Sequence, residues 1–240
     1  MVLRKLDYGE ADRIYTLLTR EHGKVGAIAK GVRRTSSKLA AALELFQQVD
    51  VLLARGRNLD VIAQAERLGD GPRMGAEVER TAHASVVAEL AERVTEDRHP
   101  VEGIFELTCW ALEELAREAD PRRASAYFLS SALSFLGYAP QLDDCAACAR
   151  PLPPEPAAFS PVAGGFLCRD CADPAQSQSP VAALKVLRVM AAGDISLYRR
   201  LKLEPPLMEE VERVLELQLE YHLDGRLKSL QFLRRLRETA

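Results

Sequence analysis

Hydrophobic and polar residues follow two different periods along this chain, and the change of period divides it. Up to about residue 70, apolar residues form short runs separated by turn residues, a pattern typical of β-strands. From residue 75 onward, apolar residues recur at spacings of three and four, as they do on one face of a helix. The pattern therefore predicts two domains, residues 1–74 and residues 75–240.

The N-terminal pattern predicts five short strands and one helical segment. The expected elements are strands over 2–6, 13–19, 25–29, 48–54 and 59–65, with a helical segment over 39–45. Five strands with a helical piece between the third and the fourth are the layout of an OB-fold barrel. Such barrels commonly bind single-stranded nucleic acid, although the fold alone does not determine a function.

The C-terminal pattern predicts an α-helical domain. Val86, Leu90 and Val94 recur at four-residue steps, Pro121 has the position of a first helical residue, and Gly137 has that of a helix end. The chain as a whole is therefore expected to be α+β. It would consist of an N-terminal OB-fold β-barrel followed by an α-helical domain.

Four cysteines within the helical domain form two pairs with the spacing of a metal site. Cys145 and Cys148 make one CxxC pair, nineteen residues follow, and Cys168 and Cys171 make the second. A tight turn in each pair brings two sulfurs to one ion, and zinc takes four ligands in a tetrahedron. We therefore predict one structural Zn²⁺ held by these four cysteines in a zinc-ribbon-like segment, residues 142–173.

Three other uses of these cysteines compete with a structural zinc site. Two disulfides are disfavoured because nothing marks the chain for export and cytosolic thiols stay reduced. A redox centre needs only one CxxC pair, and a catalytic zinc keeps an open position and usually includes His. No His lies near this segment, so a closed site is the favoured interpretation.

Net charge is distributed unevenly along the chain. The 240 residues carry a formal net charge of −3, and 48% of them are hydrophobic, which is enough for a sizeable core. Residues 1–40 contain nine Lys and Arg against four acidic residues, a local net charge of +5. A basic segment in an otherwise acidic chain indicates a nucleic acid or another anionic partner.

The basic residues gather around the third predicted strand and the loop after it. The candidate DNA-binding residues are Lys24, Lys30, Arg33, Arg34 and Lys38. Their side chains could follow a phosphate backbone, and the alternative is a solvated loop with no ligand. The C-terminal cations, from Arg226 to Arg237, could form a second basic patch, or they could simply favour the negative end of a helix dipole.

Aromatic residues near the basic loop are few. They are Tyr8, Tyr15 and Phe46. At least one of them is expected in the barrel core, so base stacking is a weaker expectation than phosphate contact.

The sequence contains no recognisable catalytic or membrane-spanning pattern. The four histidines are scattered, and P-loop, dinucleotide-binding and nucleophile-elbow motifs are missing from the sequence. No apolar run approaches the length of a membrane span, and the N-terminus has no signal-peptide core. We expect a cytoplasmic protein that is not an enzyme and has no membrane partner.

Several motifs in order along the chain are similar to those of a known family. They are the stretch from Tyr8 to Ile14, Gly23-Lys24, the stretch from Ala29 to Arg34, Leu45-Phe46, the stretch from Gly164 to Cys168, and the stretch from Leu227 to Leu230. Together they resemble the bacterial RecO family, the recombination mediators of DNA repair. The resemblance spans nearly the whole chain.

The resemblance implies a function and a set of partners. It implies a protein that binds single- and double-stranded DNA, anneals complementary strands and helps to load RecA onto DNA covered by the single-strand-binding protein SSB. It also implies partnership with RecR and with the C-terminal tail of SSB, and a location at the nucleoid. The zinc expectation rests on the cysteine spacing and not on the family.

Two other functions remain open from the residues alone. One is a zinc-stabilised helical adaptor whose barrel binds protein rather than DNA. The other is a metal-dependent hydrolase, which would need an open zinc position. An adaptor would bind oligonucleotides only weakly at any salt concentration, and a hydrolase would cleave labelled DNA.

Overall fold

Two compact units make up the protein. The computed structural model describes residues 1–35, 37–69, 74, 77–223 and 225–238. One unit comprises Met1–Pro121 with Leu227–Ala240, and the other comprises Arg122–Arg226. The first unit extends past the predicted domain limit at residue 74 because helices pack on its sheet. The boundary at residue 74 between the two predicted domains therefore remains a prediction.

Five strands of the first unit form one sheet. They are β1 (Val2–Tyr8), β2 (Asp12–Thr19), β3 (Gly23–Ala29), β4 (Val49–Ala54) and β5 (Asp60–Arg67), with helix α1 (Leu39–Ala42) between β3 and β4. The strand order is β1-β2-β3-β5-β4, and every neighbouring pair is antiparallel except β3 and β5. In the parallel pair, Ala27 lies beside Asp60 and Ile28 beside Val61. The crossover that a parallel pair requires consists here of helix α1 and strand β4.

The sheet has the strand order of an OB fold but does not close into a complete barrel. No ladder joins β1 to β4 among the described residues. Two backbone hydrogen bonds bring the edges together at one end, from Val2 N to Gln47 O at 3.0 Å and from Phe46 N to Val2 O at 2.9 Å. The α+β class and the OB-type N-terminus are thus confirmed, and the sheet has the partly open form that is usual for this fold.

Alternation along the strands separates the core from the outer face. Burial alternates strictly along β3, where every second residue from Gly23 to Ala29 is inside. The buried cluster of this sheet contains Val2, Tyr15, Leu17, Ala27, Ala29, Val32, Leu43 and Ile62. Burial of these apolar side chains, at roughly 25 cal/mol per Å², holds the sheet in shape.

Three helices complete the first unit. They are α2 (Val78–Val94), α3 (Ile104–Arg117) and α8 (Lys228–Glu238). The Glu89 carboxylate on α2 accepts hydrogen bonds from the backbone N–H groups of Lys228 at 2.9 Å and Ser229 at 2.8 Å. This carboxylate satisfies N–H groups that the first turn of α8 would leave without a partner.

The second unit consists of helices interrupted by the cysteine segment. Its elements are α4 (Pro121–Phe135), strands β6 (Ala157–Ser160), β7 (Gly165–Leu167) and β8 (Gln178–Ser179), and helices α5 (Val181–Ala191), α6 (Ile195–Arg200) and α7 (Pro205–His222). Helix α4 ends as predicted, because Gly137 takes a φ of 76° and Tyr138 N donates to Leu133 O at 2.7 Å. Among the described residues, no helix has both the length and the apolar character needed to cross a bilayer.

Candidate metal centre and nucleic-acid interface

The four predicted cysteine ligands converge on one point in the second unit. The sulfur atoms of Cys145, Cys148, Cys168 and Cys171 all lie within 4.8 Å of one another. The Sγ atoms of Cys148 and Cys168 are 3.8 Å apart. A tetrahedral ion with metal–sulfur bonds of 2.3 Å sets its ligands about 3.8 Å apart, so this separation fits such an ion. The cluster could therefore hold one metal ion.

Two backbone turns present the sulfurs. Ala149 N donates to Cys145 O at 2.8 Å, and Ala172 N donates to Cys168 O at 3.0 Å, so each pair closes one tight turn. The two turns meet where Cys168 N donates to the Cys145 sulfur at 3.3 Å. Such N–H groups stabilise a thiolate, which is the form that binds metal.

A hairpin brings the second cysteine pair back to the first. Strands β6 and β7 pair antiparallel, with Ser160 opposite Gly165. Gly164 has a φ of 78°, and a Cβ atom on Gly165 would lie 2.5 Å from the carbonyl oxygen of Gln141. Both positions therefore require glycine, the first for its backbone conformation and the second for a close approach of two chains.

Arg150 is a part of the site that the cysteine spacing did not reveal. Its guanidinium donates to the Cys148 sulfur at 3.3 Å and to the Cys168 sulfur at 3.7 Å. The same group donates to the Asp170 carboxylate at 2.8 Å, which fixes its orientation. A basic residue two positions after the first pair was the available sequence signal.

Hydrogen bonding shifts the pKa values of three cysteines in the cluster. Burial raises the pKa of Cys145, but backbone N–H donors, led by that of Cys168, lower it to about 6. The Arg150 guanidinium holds the pKa of Cys148 below its usual value. The pKa of Cys171 rises to about 12, first because its thiol hydrogen-bonds to Cys168. Hydrogen bonding thus favours the thiolate form of Cys145 and Cys148 and the protonated form of Cys171, whose proton a bound cation would displace.

The structure separates the five predicted DNA-binding residues into two groups. Lys24 lies near the start of β3, at the end of the strand away from the loop. Its Nζ donates to Glu92 O at 3.0 Å and lies 3.7 Å from the Asp97 carboxylate. Arg33 donates to Gly9 O at 3.3 Å and lies 3.4 Å from the Asp7 carboxylate. These two cations therefore hold parts of the unit together.

The other three predicted residues lie free on the surface. Lys30, Arg34 and Lys38 are exposed, and their side chains have no ion pair or hydrogen bond with any residue that the structure describes. The backbone shapes their loop, since Gly31 takes a φ of 64° and its N–H donates to the Asp12 carboxylate at 2.7 Å. The loop is thus fixed at its base while three cations project from it.

One aromatic residue remains available beside this loop. Tyr15 and Phe46 are 0% and 5% exposed and belong to the core, whereas Tyr8 is 55% exposed at the end of β1. Gly9, next to Tyr8, accepts the hydrogen bond from Arg33. At the other predicted basic patch, the Arg226 guanidinium lies 3.4 Å from the Glu220 carboxylate.

Two family models match the chain. The model described as "Recombination protein O N terminal" matches residues 1–69, and the one described as "Recombination protein O C terminal" matches residues 76–231. Together they cover the sheet, the helices and the cysteine segment. The resemblance inferred from the sequence motifs is confirmed.

Curated relatives align over nearly the whole chain. The "DNA repair protein RecO" of Nocardioides sp. is 37% identical over 243 residues, covering 98% of this chain and 97% of its own length. The protein of that name from Dehalococcoides mccartyi is 34% identical, covering 97% of this chain and 92% of its own. The one from Cutibacterium acnes is 36% identical, covering 98% and 97%.

Metal content gives the first test of the cysteine cluster. Anaerobically purified protein is expected to contain about one zinc per chain, since four thiolates complete a tetrahedral shell. Cys145→Ser should lower the metal content and make the second unit easier to unfold, because metal binding contributes to folding free energy. The matched control is Cys109→Ser: this half-buried thiol lies on α3 outside the cluster. Full zinc in Cys145→Ser, or none in the unaltered chain, would contradict the assignment.

The second test concerns Arg150. Arg150→Ala removes the guanidinium that stabilises the Cys148 thiolate, so protons should compete better with the metal. Loss of a group that orients metal ligands typically costs about 10–100-fold in affinity, and we expect about tenfold here because the side chain is exposed. Competition with a chromophoric chelator measures the effect. Arg169 is an exposed arginine of the second pair whose side chain makes no hydrogen bond to a sulfur among the described residues, so Arg169→Ala should bind metal like the unaltered chain.

Proposed function

The chain belongs to the RecO family of DNA repair and recombination proteins, and we propose that it binds single- and double-stranded DNA and anneals complementary strands. In this proposal it also helps to load RecA onto DNA covered by SSB, without catalysing a covalent step. The observation that carries the proposal is the loop after β3, where Lys30, Arg34 and Lys38 are exposed and have no partner among the described residues. Such a protein would act on DNA through electrostatic attraction to its phosphates.

Phosphate neutralisation is the proposed mechanism of binding. Lys30, Arg34 and Lys38 would contact the DNA backbone and release the counterions condensed on it, which favours binding at low salt. Neutralising the phosphates of two strands lowers their mutual repulsion, so complementary bases can approach. Arg33 and Lys24 would act indirectly, by holding the loop and its strand. Tyr8 is the aromatic residue placed to stack on a base beside the loop.

The metal centre has a structural role in this proposal. We assign Zn²⁺ to the cluster because four thiolates in a tetrahedron suit zinc and complete its coordination shell. Its function is to hold two turns and a hairpin together. The metal would take no direct part in DNA binding by the first unit.

We propose protein partners for the second unit. Three aromatic side chains there are exposed: Phe135 at 54%, Tyr138 at 37% and Tyr221 at 52%. The Tyr138 ring stacks on His222 at 4.3 Å between centroids, and Tyr221 meets the same His222 edge-on at 5.1 Å. This aromatic cluster is the surface we assign to the acidic, hydrophobic tail of SSB. RecR is the other proposed partner.

Salt dependence tests the basic loop. On single strands, each neutralised phosphate contributes about 0.7 to the slope of log K against log salt. Lys30→Ala/Arg34→Ala should therefore flatten that slope by about 1.4, and should do so equally for all sequences because phosphate contacts do not read bases. Fluorescence anisotropy with a labelled oligonucleotide at several salt concentrations gives the slope.

A variant with equal charge separates local contact from bulk charge. Lys185 and Lys202 are exposed in the second unit, so Lys185→Ala/Lys202→Ala removes two charges elsewhere. This control should leave the slope unchanged. Equal flattening by both variants would show an effect of total charge and would reject the loop as the site. If the unaltered chain binds oligonucleotides only weakly at low salt, the protein-binding adaptor becomes the better description.

The aromatic cluster is tested by calorimetry. The full chain, titrated with a peptide of the SSB tail, should release heat, and Tyr138→Ala/Tyr221→Ala should weaken binding by at least tenfold because exposed aromatics often anchor interfaces. Val162→Ala, a substitution at another exposed apolar residue of the same unit, is the control. Unchanged affinity in the double variant would place the tail elsewhere.

A further inference from the structure

One sulfur of the metal centre is open to solvent and lies close to a sulfur of the other CxxC pair. Cys148 is exposed, whereas Cys145 and Cys168 are only 2% and 9% exposed. The Sγ atoms of Cys148 and Cys168 are 3.8 Å apart, and two sulfurs joined in a disulfide are about 2.0 Å apart. A small oxidant from solvent would therefore meet Cys148 first, with the Cys168 sulfur beside it.

Arg150 contacts the same two sulfurs. Its guanidinium donates to Cys148 Sγ at 3.3 Å and to Cys168 Sγ at 3.7 Å. Such donors favour the thiolate, which is the form of cysteine that attacks an oxidant. The buried Cys145 sulfur has a different donor, the Cys168 backbone N–H at 3.3 Å. These contacts mark Cys148 and Cys168, which belong to different turns, as a reactive pair.

Backbone hydrogen bonds lead from the first cysteine turn to the end of α4. Ala146 N donates to Phe166 O on β7 at 2.8 Å, and Phe166 N donates to Gln141 O at 3.1 Å. Gln141 N in turn donates to Gly164 O at 2.8 Å. Gln141 lies three residues after Tyr138 of the aromatic cluster. The backbone that follows Tyr138 is therefore held by β7, which is itself bonded to the first cysteine turn.

We propose that the metal centre is a redox switch: hydrogen peroxide joins Cys148 to Cys168 in a disulfide, which empties the metal site and loosens the backbone that holds Tyr138. This inference rests on the proposed function in its last step, because Tyr138 belongs to the surface assigned to the SSB tail. The disulfide removes two of the four thiolate ligands, and the two that remain do not complete a tetrahedral shell. Loss of metal then removes the folding free energy that its binding contributed.

The oxidation takes two steps and consumes one molecule of peroxide. In the first, the Cys148 thiolate attacks one oxygen: an S–O bond forms, the O–O bond breaks, and the hydroxide that leaves takes a proton from solvent. In the second, the Cys168 thiolate attacks the Cys148 sulfur: the S–S bond forms, the S–O bond breaks, and a second hydroxide leaves and becomes water. The two sulfurs lose two electrons and peroxide gains them. A dithiol such as dithiothreitol reverses the change by thiol–disulfide exchange.

Metal release and disulfide mapping test the switch. Zinc-loaded protein treated with hydrogen peroxide should release about one zinc per chain to a chromophoric chelator. Mass spectrometry of a proteolytic digest should find Cys148 joined to Cys168, and dithiothreitol with added zinc should restore the loaded form. Cys109→Ser, which lacks the thiol outside the cluster, should respond in the same way. Retained zinc, or a disulfide within either CxxC pair, would overturn the proposal.

Two histidine variants separate Cys148 from the other ligands. Three cysteines and one histidine also form a zinc site, so Cys148→His and Cys171→His should each still contain zinc. Cys148→His has lost the proposed point of attack and should keep its zinc at a peroxide concentration that empties the unaltered chain. Cys171→His keeps the reactive pair and should release its zinc. Equal release from both variants would contradict the role of Cys148. If either variant holds no zinc, the disulfide mapped in the unaltered chain still decides the pairing.

Binding of the tail peptide measures the last step. Calorimetry should show an affinity about tenfold weaker for the oxidised chain than for the reduced, zinc-loaded chain, since an aromatic anchor is displaced. A reduced chain emptied by a chelator should bind as weakly, because the loss of metal and not the disulfide itself is the cause. If the reduced chain binds the peptide and the oxidised chain binds it equally, control of this surface is refuted while the proposed partner stands. If the reduced, loaded chain does not bind the peptide, the proposed partner fails, and metal release still decides the switch.

Discussion

The parallel pairing of β3 with β5 is the contact on which the N-terminal unit depends. It sets Ala27 beside Asp60, and so fixes where the β4–β5 loop begins relative to the strand that leads into the basic loop. The alternation of β3 then places its small apolar side chains inside and leaves Gly26 and Ile28 on the outer face. Because a shift of one residue would exchange the two faces, core packing and the positions of the surface cations are determined together.

Charge pairing decides which cations of this unit remain available. Lys24, Arg33 and Arg98 each meet a carboxylate or a carbonyl oxygen of the protein, whereas Lys30 and Arg34 do not meet one among the described residues. Pairs at exposed positions stabilise a fold by no more than about 1 kcal/mol, so their effect on the direction of side chains matters more than their energy. The paired cations thus shape the surface on which the unpaired ones are presented.

Local signals in the sequence were sufficient for the elements and for the cysteine cluster. The pattern of apolar residues located both ends of each of the five strands to within two residues. The two CxxC pairs identified the four cysteines whose sulfurs converge. Local signals failed where tertiary contacts decide. Lys24 meets a carbonyl 68 residues away and Arg98 a carboxylate 38 residues away, and such pairs have no local pattern.

The distribution of aromatic residues bears on the proposed annealing. Tyr15 and Phe46 are buried in the core. The row of side chains across the outer face of the sheet is aliphatic and consists of Leu6, Ile14 and Ile28. Stacking on an aromatic ring contributes roughly 1–3 kcal/mol per base, and an aliphatic surface lacks that term. Apart from one base stacked on Tyr8, a strand bound beside the basic loop would then owe its affinity mainly to phosphates, which are the same in every sequence. Its bases would be held weakly, and weakly held bases are the ones that a complementary strand can capture.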